Sequence, residues 1–239
     1  MRLGIMQPYF FPYLGHFALI AHTERWVVFD VSQYTPKSWM SRNRVLHPQA
    51  GWNYINVPLA NSSIAIATHE ARVQDLQKTR ISVLGKLTHY RRKAPFYEQV
   101  VQLVNRTFDA VASESLVELN VQGLAAVCAY LELPFDYSVC SELGLELQHI
   151  DSPGGWAPAI SQQLGASFYL NPPGGRDLFD LQDFARNGIQ LGFMQFDEFR
   201  YDTVPYTFEP GLSVLDVLMW NSPQKVREVL SSHSHILDA

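Results

Sequence analysis

The chain has 239 residues, of which 47% are hydrophobic and 17% charged, and it carries a formal net charge of −5 at pH 7. This composition can bury a sizeable core, so an intrinsically disordered protein is excluded, and the length is typical of one domain. The acidic balance argues against general nucleic-acid binding, which requires a basic face. No apolar run reaches the roughly twenty residues that a membrane span needs. We therefore expect a cytoplasmic protein folded as a single α/β domain over residues 1–239, and the oligomeric state stays open.

The first thirty residues predict strand, turn, helix and strand. An apolar run from Leu3 to Met6 predicts a buried strand that ends before Pro8, because proline cannot donate a hydrogen bond within a sheet. A helix follows from Gly15, and the run Val27–Phe29 predicts a second strand. This order indicates a parallel α/β unit. We expect a Rossmann-like fold, with a mostly parallel sheet flanked by helices.

His16 stands at the start of the first predicted helix. The turn before this helix lies at the carboxyl edge of the predicted sheet, where ligands bind, and the free N–H groups of a helix start attract anions. The His16 side chain could therefore give a hydrogen bond or a positive charge to a phosphate. The alternative is that Gly15 only ends a turn and that His16 lies on the surface without a function.

A polar stretch from Val31 to Arg44 shows neither helical nor strand periodicity, so we expect a loop at the same edge of the sheet. Its cations suit a phosphate or carboxylate, and its aromatic rings offer flat surfaces to a base or a sugar. The candidate binding residues are Lys37, Arg42 and Arg44, with Tyr34 and Trp39 for stacking. The alternative is a solvated basic loop around a buried tryptophan.

The rest of the chain predicts a helical middle section between two α/β portions. A period-two pattern at Trp52–Leu59 predicts a third strand, and helices follow in an insertion at about residues 73–133, where Ser115 caps the last one. Strands are then predicted at residues 135–139, 167–170 and 189–196. Closing helices are predicted at 212–220 and 226–230, and His233 and His235 fall in a polar tail.

A glycine-containing turn follows the strand predicted at residues 167–170. Gly174 and Gly175 would let backbone N–H groups close on an anion, and Arg176 stands beside them. An ordinary tight turn before the next helix is the alternative.

Cysteine and histidine spacings give no metal site. Cys128 and Cys140 form no CxxC motif, so two buried thiols are expected rather than a disulfide or a metal pair. The eight histidines show no ligand spacing with carboxylates.

The run from Pro12 to His16 resembles the HxGH phosphate-binding signature of the nucleotidyltransferase and class I aminoacyl-tRNA synthetase superfamily. His16 matches the second histidine, whose role in that superfamily implies that His16 stabilises a triphosphate in the transition state. Tyr13 stands at the position of the first histidine and departs from the pattern. An adenylate route of this kind would use ATP with Mg²⁺.

A longer ordered series is similar to the WbqC-like family and spans nearly the whole chain. It comprises Gln7-Pro8, Phe11-Pro12, Gly15, Gln33-Tyr34, Ser38-Trp39, Arg42-Asn43-Arg44, Trp52, Val57-Pro58, Tyr90, Ala94-Pro95-Phe96 and Leu212 to Asp216. On these two resemblances we add Gln7, Tyr13, Gln33 and Asn43 to the candidate binding residues. The second resemblance implies a context of bacterial surface-polysaccharide, or O-antigen, biosynthesis.

Two functions from different classes fit these residues. One is an enzyme that transfers a nucleotidyl, acyl or aminoacyl group from a nucleotide-linked donor, because such transfer depends chiefly on electrostatic positioning. The other is a non-catalytic protein that binds a nucleotide sugar or glycan intermediate. In either case we expect Gln7, His16, Arg42, Arg44 and the Gly174-Gly175 turn to lie around one cleft, since each follows a predicted parallel strand.

Overall fold

A computed structural model describes residues 1–239 and has a six-stranded central sheet. Its strands are β1 (Arg2–Met6), β2 (Arg25–Val28), β5 (Tyr137–Val139), β6 (Phe168–Asn171), β7 (Gln190–Phe196) and β8 (Ser234–Asp238). They lie in the order β5-β2-β1-β6-β7-β8. All neighbouring pairs are parallel except β7 and β8, which are antiparallel. The predicted α/β fold with a mostly parallel sheet is confirmed.

The start of β1 shows how the sequence fixes the packing at the centre of this sheet. Leu3 and Ile5 are buried, as the apolar run predicts. A Cβ atom at Gly4 would lie 2.7 Å from Cε3 of Trp26 on β2. Because such a contact is closer than carbon atoms tolerate, only glycine lets the Trp26 ring pack against the first strand.

Helices cover the sheet and build two hydrophobic cores. They are α1 (Leu14–Ala21), α2 (Leu76–Leu87), α3 (Tyr97–Asp109), α4 (Leu116–Tyr130), α5 (Trp156–Gln163), α6 (Leu181–Ala185), α7 (Val214–Trp220) and α8 (Pro223–Ser232). Successive strand residues alternate between the cores: Leu170 lies in one with α1, α3, α4, α7 and α8, and Tyr169 in the other with α5 and α6. None of these helices combines the length and the apolar character needed to cross a bilayer.

The helical middle section is confirmed as α2, α3 and α4. Ser115 caps α4 as predicted, because its hydroxyl accepts a hydrogen bond from the N–H of Glu118 at 3.3 Å. The first helix of the section begins after Asp75, whose side chain caps it by accepting a hydrogen bond from the N–H of Lys78 at 2.9 Å.

A β-hairpin outside the central sheet corrects the prediction for residues 31–44. Arg42–Leu46 forms β3, which pairs antiparallel with β4 (Trp52–Asn56). Arg42, Asn43 and Arg44 therefore lie on a strand and not in a loop. The two half-buried arginines alternate with the buried Asn43 and Val45, and Leu46, on the same face as the arginines, is also buried. The third predicted strand exists, but it belongs to this hairpin.

The end of the chain also differs from its prediction. Residues 234–238 form β8 at the edge of the central sheet, where Phe193 pairs with Leu237. The polar tail proposed for this segment is therefore wrong. The side chains of Ile236 and Leu237 remain 37% and 43% exposed, so the strand is held mainly by its backbone ladder to β7.

Both cysteines are free and buried, as predicted. Burial raises the pKa of the Cys128 and Cys140 thiols to about 12. Neither side chain supplies a thiolate nucleophile near neutral pH.

Candidate functional site

A cavity of about 230 Å³ lies where the β1–α1 turn, β3 and the segment before α7 meet. We name it the aromatic–arginine cleft. Its walls are Tyr9, Pro12, Tyr13, Trp39, Asn43, Arg44 and Gly211. Four of these were candidates from sequence: Tyr13, Trp39, Asn43 and Arg44. The structure therefore brings together part of the predicted site.

Asn43 fixes the floor of this cleft. Its side-chain amide donates to the carbonyl oxygens of Phe10 at 3.1 Å and Phe11 at 3.0 Å. Phe11 has φ of 40°, a left-handed conformation that costs a bulky side chain on the order of 1–3 kcal/mol. The buried Asn43 amide thus holds a strained turn, which explains why a polar residue occupies an inward position of β3.

The segment before α7 closes the cleft from the far end of the sequence. The Ser213 hydroxyl donates to the Phe11 carbonyl at 2.7 Å, and the Ser213 N–H donates to the Arg44 carbonyl at 2.8 Å. The Val214 N–H donates to the Pro12 carbonyl at 2.8 Å. These bonds join three separate segments, so the cleft is preorganised.

Arg44 places a positive charge in the cleft. Its guanidinium carbon lies 5.3 Å from the centre of the Trp39 ring and 5.2 Å from that of Trp52, and Nη2 donates to the Gly211 carbonyl at 3.1 Å. Cation–π contacts of this length stabilise a cation and limit its rotamers. The Arg44 Nε is buried away from the cleft surface, whereas Nη1 makes no hydrogen bond within the protein. The charge is therefore held in place, with Nη1 left to donate to an anionic ligand.

Tyr13 supplies an accessible aromatic wall, since its side chain is 44% exposed. A Cβ atom on Gly15 would collide with the Tyr13 ring, so the glycine of the HxGH-like run makes room for this tyrosine. Burial raises the pKa of both Tyr9 and Tyr13 above 10.0. Both hydroxyls are neutral at physiological pH and can act as hydrogen-bond donors.

His16 does not line the cleft. The side chain is only 2% exposed, and its ring packs 5.6 Å from the ring of Tyr9 and 5.2 Å from that of Trp26. Both ring nitrogens are buried without a partner, and burial lowers the pKa of His16 to about 3. Burial therefore opposes the positive charge that the sequence suggested for this histidine, and its role toward a ligand stays a prediction.

Four other candidates from the N-terminal part face different neighbours. The Gln7 amide donates to the Ser32 hydroxyl at 3.1 Å, and Gln33 donates to the carbonyl of Ile64. Lys37 is exposed with φ of 57°, and the Arg42 guanidinium stacks 4.4 Å above the Tyr54 ring. None of the four lines the aromatic–arginine cleft.

The glycine turn after β6 also lies apart from that cleft. The Gly175 N–H donates to the Pro172 carbonyl at 3.2 Å, and Arg176 Nη2 donates to the Asp238 carbonyl at 3.0 Å. Gly174 has open space around it. Arg176 thus fastens the edge strand β8. Neither the two glycines nor Arg176 lines the aromatic–arginine cleft, and a site shared by this turn and Arg44 stays a prediction.

A second cavity of about 230 Å³ adjoins the first and was not predicted from sequence. We name it the acidic chamber. It shares Tyr13 and Gly211 with the aromatic–arginine cleft, and its other walls are Leu14, Phe196, Asp197, Glu198, Phe199, Tyr201, Phe208, Glu209, Pro210, Leu212 and Val217. The sequence signal that could have found it is the mixture of aromatic and acidic residues at 197–210.

Asp216 lies beneath the acidic chamber and is fully buried in α7. Its carboxylate accepts hydrogen bonds from the Tyr90 hydroxyl and, at 2.6 Å, from the Tyr201 hydroxyl. Burial disfavours the charged carboxylate more than these bonds favour it, so the pKa of Asp216 is raised to about 6. The network fixes Tyr201, one wall of the chamber, against the core.

Three larger cavities hold no comparable arrangement, and the one of about 370 Å³ beside the start of α2 has no aromatic residue in its lining. A groove of about 380 Å³ between α3 and α4 is edged by exposed side chains such as Gln99, Gln102 and Arg106. In a cavity of about 450 Å³ near β5, Glu118 already accepts the N–H groups of Ala112 and Ser113. No cluster of three or more His, Cys, Asp or Glu side chains is arranged to hold a metal ion.

Comparisons with known proteins give a family and one relative. The sequence profile of the WbqC-like protein family matches residues 7–228. Uncharacterized protein Rv1507c of Mycobacterium tuberculosis is 25% identical over 225 residues, which cover 91% of this chain and 92% of that protein. No solved structure matches the fold significantly.

Proposed function

The chain belongs to the WbqC-like protein family, and we propose that it binds a nucleotide-linked donor in the aromatic–arginine cleft and transfers a group from it. The transferred group is a nucleotidyl, acyl or aminoacyl group, and the pathway is the assembly of a bacterial surface polysaccharide. A cytoplasmic location and the absence of a nucleic-acid partner stay predictions of the sequence.

Arg44 is the observation that carries this proposal. Its guanidinium is held between Trp39 and Trp52, and it faces a cavity with an exposed Tyr13. A fixed guanidinium suits the oxygens of a phosphate, and a neighbouring aromatic surface suits a base or a sugar ring. A nucleotide sugar carries both phosphate oxygens and rings of this kind.

The cleft contains no activated nucleophile, and phosphoryl or nucleotidyl transfer does not need one. Such transfer depends on positioning and charge stabilisation more than on a covalent nucleophile. The cofactor stays open. ATP with Mg²⁺ is the version that an adenylate route requires, and Arg44 is the cleft residue that would contact its phosphates. His16 enters the proposal only as a neutral ring behind Tyr9, with a catalytic role that stays a prediction.

A non-catalytic binding protein is the second candidate, and the burial of His16 favours it. The pKa of His16 is lowered to about 3, and the pKa values of Tyr9 and Tyr13 are raised. Neither the histidine nor the tyrosines therefore titrate near neutral pH, where a general acid or base is most effective.

An Arg44→Ala variant tests the site. Isothermal titration with ATP, UDP and UDP-N-acetylglucosamine should show binding to the parent and a loss of roughly 1.5–3 kcal/mol in the variant, the range for a charged hydrogen bond. Arg91→Ala removes an equal charge from an exposed position and serves as the matched control. Equal binding by the parent and the Arg44 variant would refute the proposed site.

Turnover separates the two candidates. The parent is incubated with each nucleotide and a set of sugar acceptors, with and without a carboxylic or amino acid, and the leaving group is followed by chromatography: pyrophosphate for nucleotidyl transfer, and pyrophosphate with AMP for acyl or aminoacyl transfer through an adenylate. Release that depends on both donor and acceptor, and falls with Arg44→Ala, is expected of the transferase. Tight nucleotide binding without any such release would support the second candidate, a non-catalytic binding protein.

A further inference from the structure

The acidic chamber lies beside the aromatic–arginine cleft, with Tyr13 and Gly211 common to both. A ligand in the chamber and a ligand in the cleft would therefore touch the same tyrosine. This is the relation that two substrates of a transfer reaction need, since reacting groups must approach within a few ångströms.

The walls of the chamber are aromatic. The ring centres of Phe199 and Tyr201 are 5.4 Å apart, and those of Tyr201 and Phe208 are 5.2 Å apart. Aromatic faces bind the apolar side of a sugar ring, and they attract an ammonium group through their quadrupole. Tyr201 is anchored to Asp216, so this surface is rigid before a ligand arrives.

The charge in the chamber is negative, and one carboxylate is free. Asp197 contacts His235 at 3.0 Å, and Glu198 pairs with Arg200 at 3.6 Å. Arg200 also lies 5.0 Å from the Phe208 ring. Glu209 is half-buried and has neither a salt bridge nor a side-chain hydrogen bond. Its carboxylate is the available acceptor for a cationic ligand.

We infer that the acidic chamber is the acceptor subsite and that it takes a single sugar ring bearing a protonated amine. The ring stacks on the aromatic wall, and the ammonium group pairs with Glu209. The chamber has a volume of about 230 Å³, which is smaller than the ~300–1,000 Å³ of pockets for drug-sized ligands and fits one ring. The neighbouring cleft has the same volume and therefore receives only part of its larger donor. This inference rests on the proposed function, because it supplies the second substrate for the donor in the neighbouring cleft.

Titrations with D-glucosamine and N-acetyl-D-glucosamine at pH 7 test the subsite, because the two sugars differ in charge at the amine. The parent should bind glucosamine about ten-fold or more tightly than the acetylated sugar, the scale of one charged hydrogen bond. Glu209→Gln should remove that preference and leave the acetylated sugar and UDP unchanged. Glu98→Gln makes the same change at an exposed position of α3 and should alter nothing.

A second variant, Phe208→Leu, removes a stacking face and should weaken both sugars equally. Equal affinity of the parent for the two sugars, no effect of Glu209→Gln, or no binding of glucosamine would overturn the inference. UDP binding that depends on Arg44 is read in the same samples. If Arg44-dependent UDP binding persists while the sugar results fail, only the acceptor subsite is refuted. If UDP binding is absent, the donor cleft is refuted instead.

Discussion

Replacing Asp216 by asparagine should change how the stability of this protein depends on pH. The carboxyl is fully buried, and its pKa is raised from 3.8 to about 6, first because burial disfavours the charge. Hydrogen bonds from Tyr201 and Tyr90 oppose that effect without overcoming it. An asparagine has similar size and can keep one of these bonds, but it carries no charge.

The sign follows from proton binding. Between about pH 4 and pH 6 the folded protein binds more protons at Asp216 than the unfolded chain does, so the free energy of unfolding falls as pH rises. The difference between the two pKa values corresponds to about 3 kcal/mol, at 1.36 kcal/mol for each pH unit. This cost is absent below about pH 4 and fully present above about pH 6.

Urea unfolding of the parent and Asp216→Asn, measured from pH 4 to pH 8, checks the reasoning. The stability of the parent relative to the variant should fall by about 3 kcal/mol between pH 4 and pH 7. Asp177→Asn, an identical change at an exposed position, should show no such trend. Tyr201→Phe removes a bond to the carboxylate and should move the fall to higher pH. A constant difference between parent and Asp216→Asn across this range would refute the raised pKa.

Two further substitutions, tested by urea unfolding, concern the floor of the cleft and the buried histidine ring behind Tyr9. His16→Leu should leave the free energy of unfolding unchanged or raise it, because it removes two buried nitrogens that have no partner; a loss above about 1 kcal/mol would mean that the ring has a partner, such as a bound water. Asn43→Ala should lower stability by about 2–3 kcal/mol, since the bonds to the Phe10 and Phe11 carbonyls are lost, and an unchanged midpoint would show that the strained turn does not depend on them.

Short sequence patterns correctly predicted the central strands β1 and β2 and the start of α4. The apolar run in β1, the proline that follows it and the β-branched run in β2 are each readable within a few residues. The Ser115 cap gave the start of α4 in the same way. Such signals depend on backbone chemistry and not on distant neighbours, so the alternation of strand and helix was correct.

The two missed strands depend on partners that are remote in sequence or unusual in composition. β3 carries Arg42, Asn43 and Arg44, which are poor strand residues until Tyr54, Trp39 and Trp52 receive the guanidinium groups. β8 depends on pairing with β7, because its own apolar side chains stay largely exposed. In both, tertiary contacts override local preference.

The candidate site was predicted in part for the same reason. Trp39 and Arg44 were identified from their chemistry, but Gly211 and Ser213, which hold Arg44 in place, lie far along the chain. The burial of His16 follows from Tyr9 and Trp26, whose rings cover it, and no pattern around residue 16 reveals this. Residue type was readable from the sequence, whereas exposure and partners were not.

The hydrogen bond from Ser213 to the Phe11 carbonyl joins residues that are 202 positions apart. Closing a loop of that length has an entropic cost before any contact within it can form, so this junction belongs to the slow steps of folding. The aromatic–arginine cleft cannot exist until it closes. A partly folded chain would therefore be unable to bind the proposed nucleotide ligand, and binding of that ligand would stabilise the folded state as a whole. Under this proposal, recovery of ligand binding after dilution from urea would report the completion of folding rather than the formation of its early helices.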